Sequence, residues 1–270
     1  MNKLNTFPFF FQKIAKASIA LIAGILSSIV LANPIHAATL AQNLIVNGDA
    51  EQGQGDPIGN AVGTDIPFIP GWILTDSFSV LQYGATGFEF TNALGNIVAV
   101  SGLPNANSSG PSVRGKNFFY GGANRGSSSA SQLIEIADFA SIIDAGQGAY
   151  DLSAWLGGYD TDLDNVEFSL NFLNQDGQSL NTAFITSPTP DERNNTTGLL
   201  FKSTKGFVPV GARQINVALD MNYVRGRVND GYADNLSLVI TKVPEPSFSG
   251  LLLVSSSCLM VWKLRRNRQL

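Results

Sequence analysis

Histidine and cysteine are nearly missing from these 270 residues, with one of each. His36 stands close to a run of small residues near the N-terminus, and Cys258 lies in an apolar run near the C-terminus. The long middle of the chain therefore has neither. That excludes Ser-His-Asp and Cys-His nucleophilic chemistry there. It also removes the imidazole and thiolate ligands that hold zinc, copper or iron. A metal bound by the middle has to be hard and oxygen-ligated, so calcium is the first candidate. No disulfide can brace the fold, and packing must hold it.

Basic residues are scarce as well. Of 17 Lys and Arg, seven sit at the two ends, which leaves 10 between residues 38 and 243 against 20 of the 21 Asp and Glu. A net charge of −10 for that stretch argues against nucleic-acid binding, because phosphate contacts need clustered Lys and Arg. It suits solubility or divalent cations. No period of roughly 20–50 residues recurs, which excludes a solenoid or propeller.

Both ends read as addresses rather than as structure. Lys3, Lys13 and Lys16 precede an apolar run from Ala17 to Leu31, then come Asn33, Pro34 and the small residues Ala37 and Ala38. This is the pattern of a signal peptide over 1–37, with a run too short to span a bilayer comfortably. At the other end Pro244, Glu245 and Pro246 precede the 15-residue stretch Phe248–Trp262, followed by Lys263, Arg265, Arg266 and Arg268. As a helix that stretch measures about 22 Å, short of the roughly 30 Å hydrocarbon core. Flanking cations can snorkel to hold it, and they keep this end cytoplasmic. The order of Pro-Glu-Pro, short hydrophobic helix and Arg-rich end resembles the PEP-CTERM sorting signal of bacteria that make extracellular polysaccharide. The resemblance implies an exosortase-type processing partner, transient membrane contact through the C-terminal helix, and a destination at or beyond the cell surface. A plain single-span anchor is the alternative.

Between the ends, residues 38–243 alternate short apolar runs with Gly, Asn, Asp, Ser and Pro clusters, the rhythm of a β-sandwich or barrel. Val166, Phe168, Leu170 and Phe172 share one parity, with Glu167, Ser169 and Asn171 opposite. Gln175-Asp176-Gly177 signals a hairpin, and Leu180–Ile185 returns. Ile215–Met221 and Leu236–Ile240 alternate in the same way. Further strands are expected near 44–46, 72–74, 78–83, 97–100, 117–120, 133–136 and 150–156, with one helical turn at 139–143 and loops at 101–116 and 121–131. Roughly ten strands with one apolar face imply two packed antiparallel sheets. Asn43-Leu-Ile-Val-Asn-Gly-Asp-Ala-Glu51, Ile69-Pro-Gly-Trp72 and Asp230-Gly-Tyr-Ala-Asp-Asn-Leu-Ser-Leu238 occur in that order. Together they resemble the galactose-binding-domain-like jelly roll, the fold of many carbohydrate-binding modules. The expected class is thus all-β, an antiparallel jelly-roll β-sandwich flanked by an N-terminal signal helix and a short C-terminal hydrophobic helix.

Three constellations invite chemistry. In a jelly roll the first and last strands lie together, which brings Asp49 and Glu51 toward Asp234. The resemblance implies that Glu51 and Asp234, with Asp49 and Asp56 as accessories, ligate a structural calcium; the alternative is that Asp49 and Glu51 merely cap a turn. Asp160, Asp162 and Asp164 open like an EF-hand loop, but Asn165 and Asn171 stand where Gly and Glu are needed, so a polar loop is the reading there. On 150–156, Leu152, Ala154 and Leu156 face the core and Trp155 the other side. With Glu167, Asn171 and Asp220 it forms a candidate polysaccharide site, an indole beside carboxylates and amides. Tyr83, Tyr120, Tyr159 and Arg125 would rim it. The alternative is that Trp155 packs under a loop in a second small core. Trp72 is assigned to the main core. The expected function is a non-catalytic surface or matrix protein that binds polysaccharide. Its rivals are a structural surface protein without a ligand and a glycan hydrolase using two carboxylates.

Overall fold

A computed structural model describes residues 39–63, 65, 66 and 68–243. The signal peptide, the Pro244-Glu245-Pro246 motif and both terminal helices expected from the sequence lie outside the described residues. Among the described residues no helix is long and apolar enough to cross a membrane.

Among the described residues twelve strands follow one another: β1 (Ile73–Thr75), β2 (Ser79–Gln82), β3 (Phe88–Thr91), β4 (Ile97–Val100), β5 (Asn117–Tyr120), β6 (Ser128–Glu135), β7 (Gly148–Gly158), β8 (Asn165–Leu173), β9 (Ser179–Thr186), β10 (Gly198–Phe207), β11 (Gln214–Asn222) and β12 (Tyr232–Lys242). A 3-10 turn (Ala137–Phe139) and a one-turn helix, α1 (Ala140–Asp144), join β6 to β7. Sheet I runs β1-β6-β11-β8-β9, sheet II runs β10-β7-β12-β5-β2, and β3 and β4 form a separate hairpin. Every paired strand is antiparallel. From β6 onward the chain changes sheet repeatedly, the winding of a jelly-roll sandwich, as expected.

Alternation builds the core. Phe168, Leu170 and Phe172 of β8, Val217 and Leu219 of β11, Leu152 and Leu156 of β7, and Leu238 and Ile240 of β12 are all 0% exposed and belong to one cluster. Both sheets contribute to it, so it is the layer between them. Trp72 lies in this layer, edge-on to Phe119 at 5.4 Å, with its indole N–H donated to the Asn47 carbonyl.

A second apolar cluster was foreshadowed only by the alternative reading of Trp155. Leu81, Phe118, Tyr120, Leu199 and Tyr232 point out of the far side of sheet II and are buried under loops and the β3–β4 hairpin. The cause is legible in Asn117-Phe-Phe-Tyr120, which does not alternate: all four residues are buried, as in a strand covered on both faces.

Several expected elements differ. Residues 44–46 form no strand. The segment 41–44 runs beside β12 through hydrogen bonds from Ala41 N–H to the Ile240 carbonyl and from Leu44 N–H to the Leu238 carbonyl, both 2.8 Å. Positive φ at Ala41 and Asn47 interrupts the extended path. The expected loop at 121–131 gives way to β6 at Ser128. β10 is not expected from the sequence, since it is an edge strand whose Lys202-Ser-Thr-Lys205 stretch blunts the apolar signal.

Gly157 sits where β7 meets β10, and a Cβ there would overlap the Gly198 carbonyl oxygen. Gly157→Ala is expected to cost about 2 kcal/mol or more by overpacking, read as a fall in Tm of roughly 5 °C. An unchanged melting curve would mean that the two backbones are not in such close approach.

Candidate functional site

Of the two outer sheet surfaces, that of sheet II is largely covered by the second cluster, whereas that of sheet I is open. Register sets its side chains in rows across the strands. Thr75, Ser129, Asp220, Glu167 and Thr186 form one row; Ile73, Ser131, Ala218, Ser169 and Phe184 the next; Leu133, Asn216, Asn171 and Thr182 the third. The middle row has a floor of small side chains between exposed walls, with Ile73 at 64% and Phe184 at 57% exposure. Four strand spacings separate the walls, about 19 Å.

The polar groups of this face are largely unpartnered. Asn171 Oδ1 accepts a 2.5 Å bond from the Ser179 hydroxyl, which leaves its NH2 free. Asn216, Glu167 and Asp220 make no side-chain hydrogen bond or ion pair among the described residues. Burial raises the Asp220 carboxyl above its ordinary pKa.

Three of the four expected sugar-binding residues, Glu167, Asn171 and Asp220, thus share one surface, and the fourth does not. Trp155 is on β7 in sheet II, on the opposite side of the sandwich. Parity correctly turned it away from the core, but the surface it joined is the covered one. It is half-buried at the edge of the second cluster, edge-on to Phe201 at 5.8 Å. The expected rim residues go with it. Tyr120 is fully buried, Tyr83 packs on Phe118 at 4.6 Å, and the Tyr159 hydroxyl donates to Ser101 O. Arg125 is an exposed loop residue. The aromatic side chain on the open face is Phe184, which the sequence reading passed over. Its signal was present, because it lies opposite in parity to buried Ile185.

The expected calcium residues occupy the far side of sheet II. The bulge between Asp234 and Ser237, with Asn235 at φ 49°, turns Asp234 toward the second cluster, where it is 0% exposed. Its carboxylate accepts the Tyr83 hydroxyl at 2.8 Å and the Asn235 N–H at 2.7 Å. Burial pushes this carboxyl up to about 7, and the nearby charges of Asp49 and Glu51 push the same way. Glu51 Oε1 accepts the backbone N–H groups of Lys116 and Asn117, each at 2.7 Å. That seat depends on Gly115, at φ +60°, where a Cβ would lie 2.5 Å from Glu51 Oε1. Asp49 takes the Glu51 N–H at 3.3 Å and borders a cleft of about 410 Å³ with Asn43, Asn47, Gln52 and Asn235. Asp56 instead caps its own turn, accepting from Ile58, Gly59 and Ala61.

Among the described residues, Asp162, Asp164 and Asp230 each bring one carboxylate oxygen within 4.8 Å of the other two. They come from the β7–β8 and β11–β12 loops. Asp164 acts as a clamp, accepting N–H groups of Val224 (2.6 Å), Arg225 (3.2 Å) and Asp230 (2.9 Å). Asp230 accepts the Tyr232 hydroxyl at 2.7 Å. The buried Arg193 stands near, donating to the Gly158 and Thr196 carbonyls. Burial nevertheless pushes the Asp230 carboxyl up to about 7.

This shift has a sign in stability. The ordinary Asp value is 3.8, so between there and about 7 the folded state holds a proton on Asp230 that an unfolded chain has lost. The stabilisation is fully present below the lower value and is lost as pH rises through the higher one. In chelator-containing buffer Tm is expected to fall by about 5 °C from pH 5 to pH 8, and Asp230→Asn, which keeps the acceptor for Tyr232, is expected to flatten part of that fall. A wild-type Tm that holds or rises across this window would show that Asp230 is ionised in the fold.

No family model matches the sequence, and no curated protein matches it. Among solved structures, the chain is similar to a family 16 carbohydrate-binding module at 17% identity and TM-score 0.39, covering 73% of this chain and 99% of that one. It is also similar to the CBM22-1 xylan-binding domain of Paenibacillus barcinonensis Xyn10C, at 8% identity and TM-score 0.35, covering 77% and 100%. A third likeness is to the enzymatically active domain of bacteriophage CBA120 tailspike protein 4, at 14% identity and TM-score 0.41. That match covers 73% of this chain and 21% of the tailspike chain, so the chain spans about a fifth of the tailspike's length. These low scores carry no weight on ligand or activity. By its own strand order the chain is an antiparallel jelly-roll β-sandwich with one covered and one open outer surface.

Proposed function

We propose that the chain is an exported, non-catalytic surface or matrix protein whose sandwich holds polysaccharide on the open face of sheet I. One observation carries the reading: unpartnered carboxylates and amides share that face with exposed apolar walls. A sugar ring offers C–H surfaces to apolar groups and hydroxyls to polar ones, and such a mixed lining serves both. The N-terminal signal pattern and the Pro244-Glu245-Pro246 tail support export and sorting by an exosortase-type enzyme.

We also propose a structural calcium beside β12. The donor type suits it, because Asp234, Glu51 and Asp49 offer only hard oxygen ligands and, among the described residues, no cation pairs with the buried Asp234. These three residues would hold the ion, which would supply positive charge where burial otherwise disfavours an ionised carboxylate.

Affinity gels cast with a panel of exopolysaccharides test the sugar face. Phe184→Ala and Asn171→Ala are expected to weaken retardation about tenfold each. Trp155→Ala is expected to lower Tm while leaving retardation unchanged. Equal loss in Trp155→Ala would move the site to sheet II. No retardation on any glycan would favour a structural protein without a ligand, and release of reducing ends would make the protein a hydrolase. For calcium, chelation at pH 8 is expected to lower Tm by several degrees in wild type and not in Asp234→Asn, since an ion bound only to the native state stabilises it. Identical curves with and without chelator would remove the ion from the account.

A further inference from the structure

We propose that the open face of sheet I selects a polysaccharide bearing free amino groups, such as a partly N-deacetylated hexosamine polymer, over uronate- or sulfate-bearing chains. This rests on the reading of the face as a glycan platform and adds the charge class of the ligand.

The five strands of sheet I contain Glu135, Glu167 and Asp220 and no Lys or Arg at all. Several of the domain's cations are occupied elsewhere. Lys202 pairs with Glu192, Lys205 with Asp151, and Arg213 with Asp144. Arg114 and Arg193 are tied to loop carbonyls. Of the three acids, Glu135 accepts the Gln214 amide at 2.6 Å, while Asp220 and Glu167 have no side-chain partner among the described residues.

Those two stand directly opposite each other on β11 and β8. Like charges in that position destabilise a sheet, so strand pairing gives no reason for them to be there. Partial burial of Asp220 adds a desolvation cost to the ionised form. An ammonium between them would relieve both penalties. Adjacent strands lie about 4.8 Å apart, a gap that two charge-assisted hydrogen bonds of about 2.8 Å can bridge. A neutral hydroxyl would leave the repulsion in place, and a carboxylate or sulfate on the ligand would add to it.

Affinity electrophoresis and calorimetry of the purified protein, with chelator present, would compare a partly deacetylated chitosan oligomer, its fully N-acetylated counterpart and polygalacturonate. The expected result is at least tenfold tighter binding of the amino form than of the acetylated form, with no binding of polygalacturonate. Asp220→Asn and Glu167→Gln are each expected to lose about tenfold for the amino form only. Asp176→Asn, an equal change of charge in the β8–β9 turn, is expected to lose nothing, which separates a site from general attraction to an acidic protein. Equal affinity for the amino and acetylated oligomers, unaltered in both variants, would overturn the charge selection and leave the glycan platform standing. Equal loss in Asp176→Asn would overturn it as well, and so would tighter binding of polygalacturonate. Failure to bind any glycan of a wider neutral panel would remove the platform itself.

Discussion

Between the sheets, side chains of Leu152 and Leu156, Phe168 and Phe172, Val217 and Leu219, and Leu238 and Ile240 belong to one dry layer. All else in the structure hangs on that layer. No disulfide or zinc cluster shares the task, because the described part of the chain holds neither cysteine nor histidine. Burial of apolar surface at about 25 cal/mol per Å² is the main stabilising term available. It also explains why β8 and β11 alternate so strictly, since a slip of one residue would turn the whole apolar set to water.

A sheet has two faces, and the layer uses only one of each. The remaining face of sheet II is apolar around β5 and at the start of β12, so the chain folds loops and the β3–β4 hairpin over it. That cover buries Asp234 and draws Trp155 into its edge. The remaining face of sheet I carries mostly Ser, Thr, Asn, Ala, Asp and Glu, with Ile73, Leu133 and Phe184 exposed among them, and it stays open. The sandwich is therefore asymmetric because of what its strands carry outward.

Carboxylates serve in three ways. Glu51 and Asp164 are bound to backbone N–H groups and fix loops, a use in which the charge is compensated by oriented donors. Asp230 and Asp234 are buried beside tyrosine hydroxyls, and burial pushes both carboxyls well above the ordinary carboxylate range. Asp220 and Glu167 are neither clamped nor buried outright. They stand directly opposite each other on the open face, which makes that face the place to look for a ligand.

The alternation of Val166–Phe172 and Ile215–Met221 was enough to fix which side chains turn inward, because parity along a strand is a local property. The hairpin at Asp176-Gly177 and the contact of the first segment with β12 were legible for a similar reason: turn chemistry and a recurring motif order mark them. Sheet membership was not legible. Nothing between Trp155 and Glu167 says that β7 and β8 enter different sheets, and that single fact parts the indole from the carboxylates. Nor did sequence separation reveal that Asp230 meets Asp162 and Asp164, or that Gly115 seats Glu51. Composition and parity specify an acidic, all-β chain and the side chains that turn inward. Which outward face stays in water is settled by folding, because covering one depends on loops brought back from far along the chain.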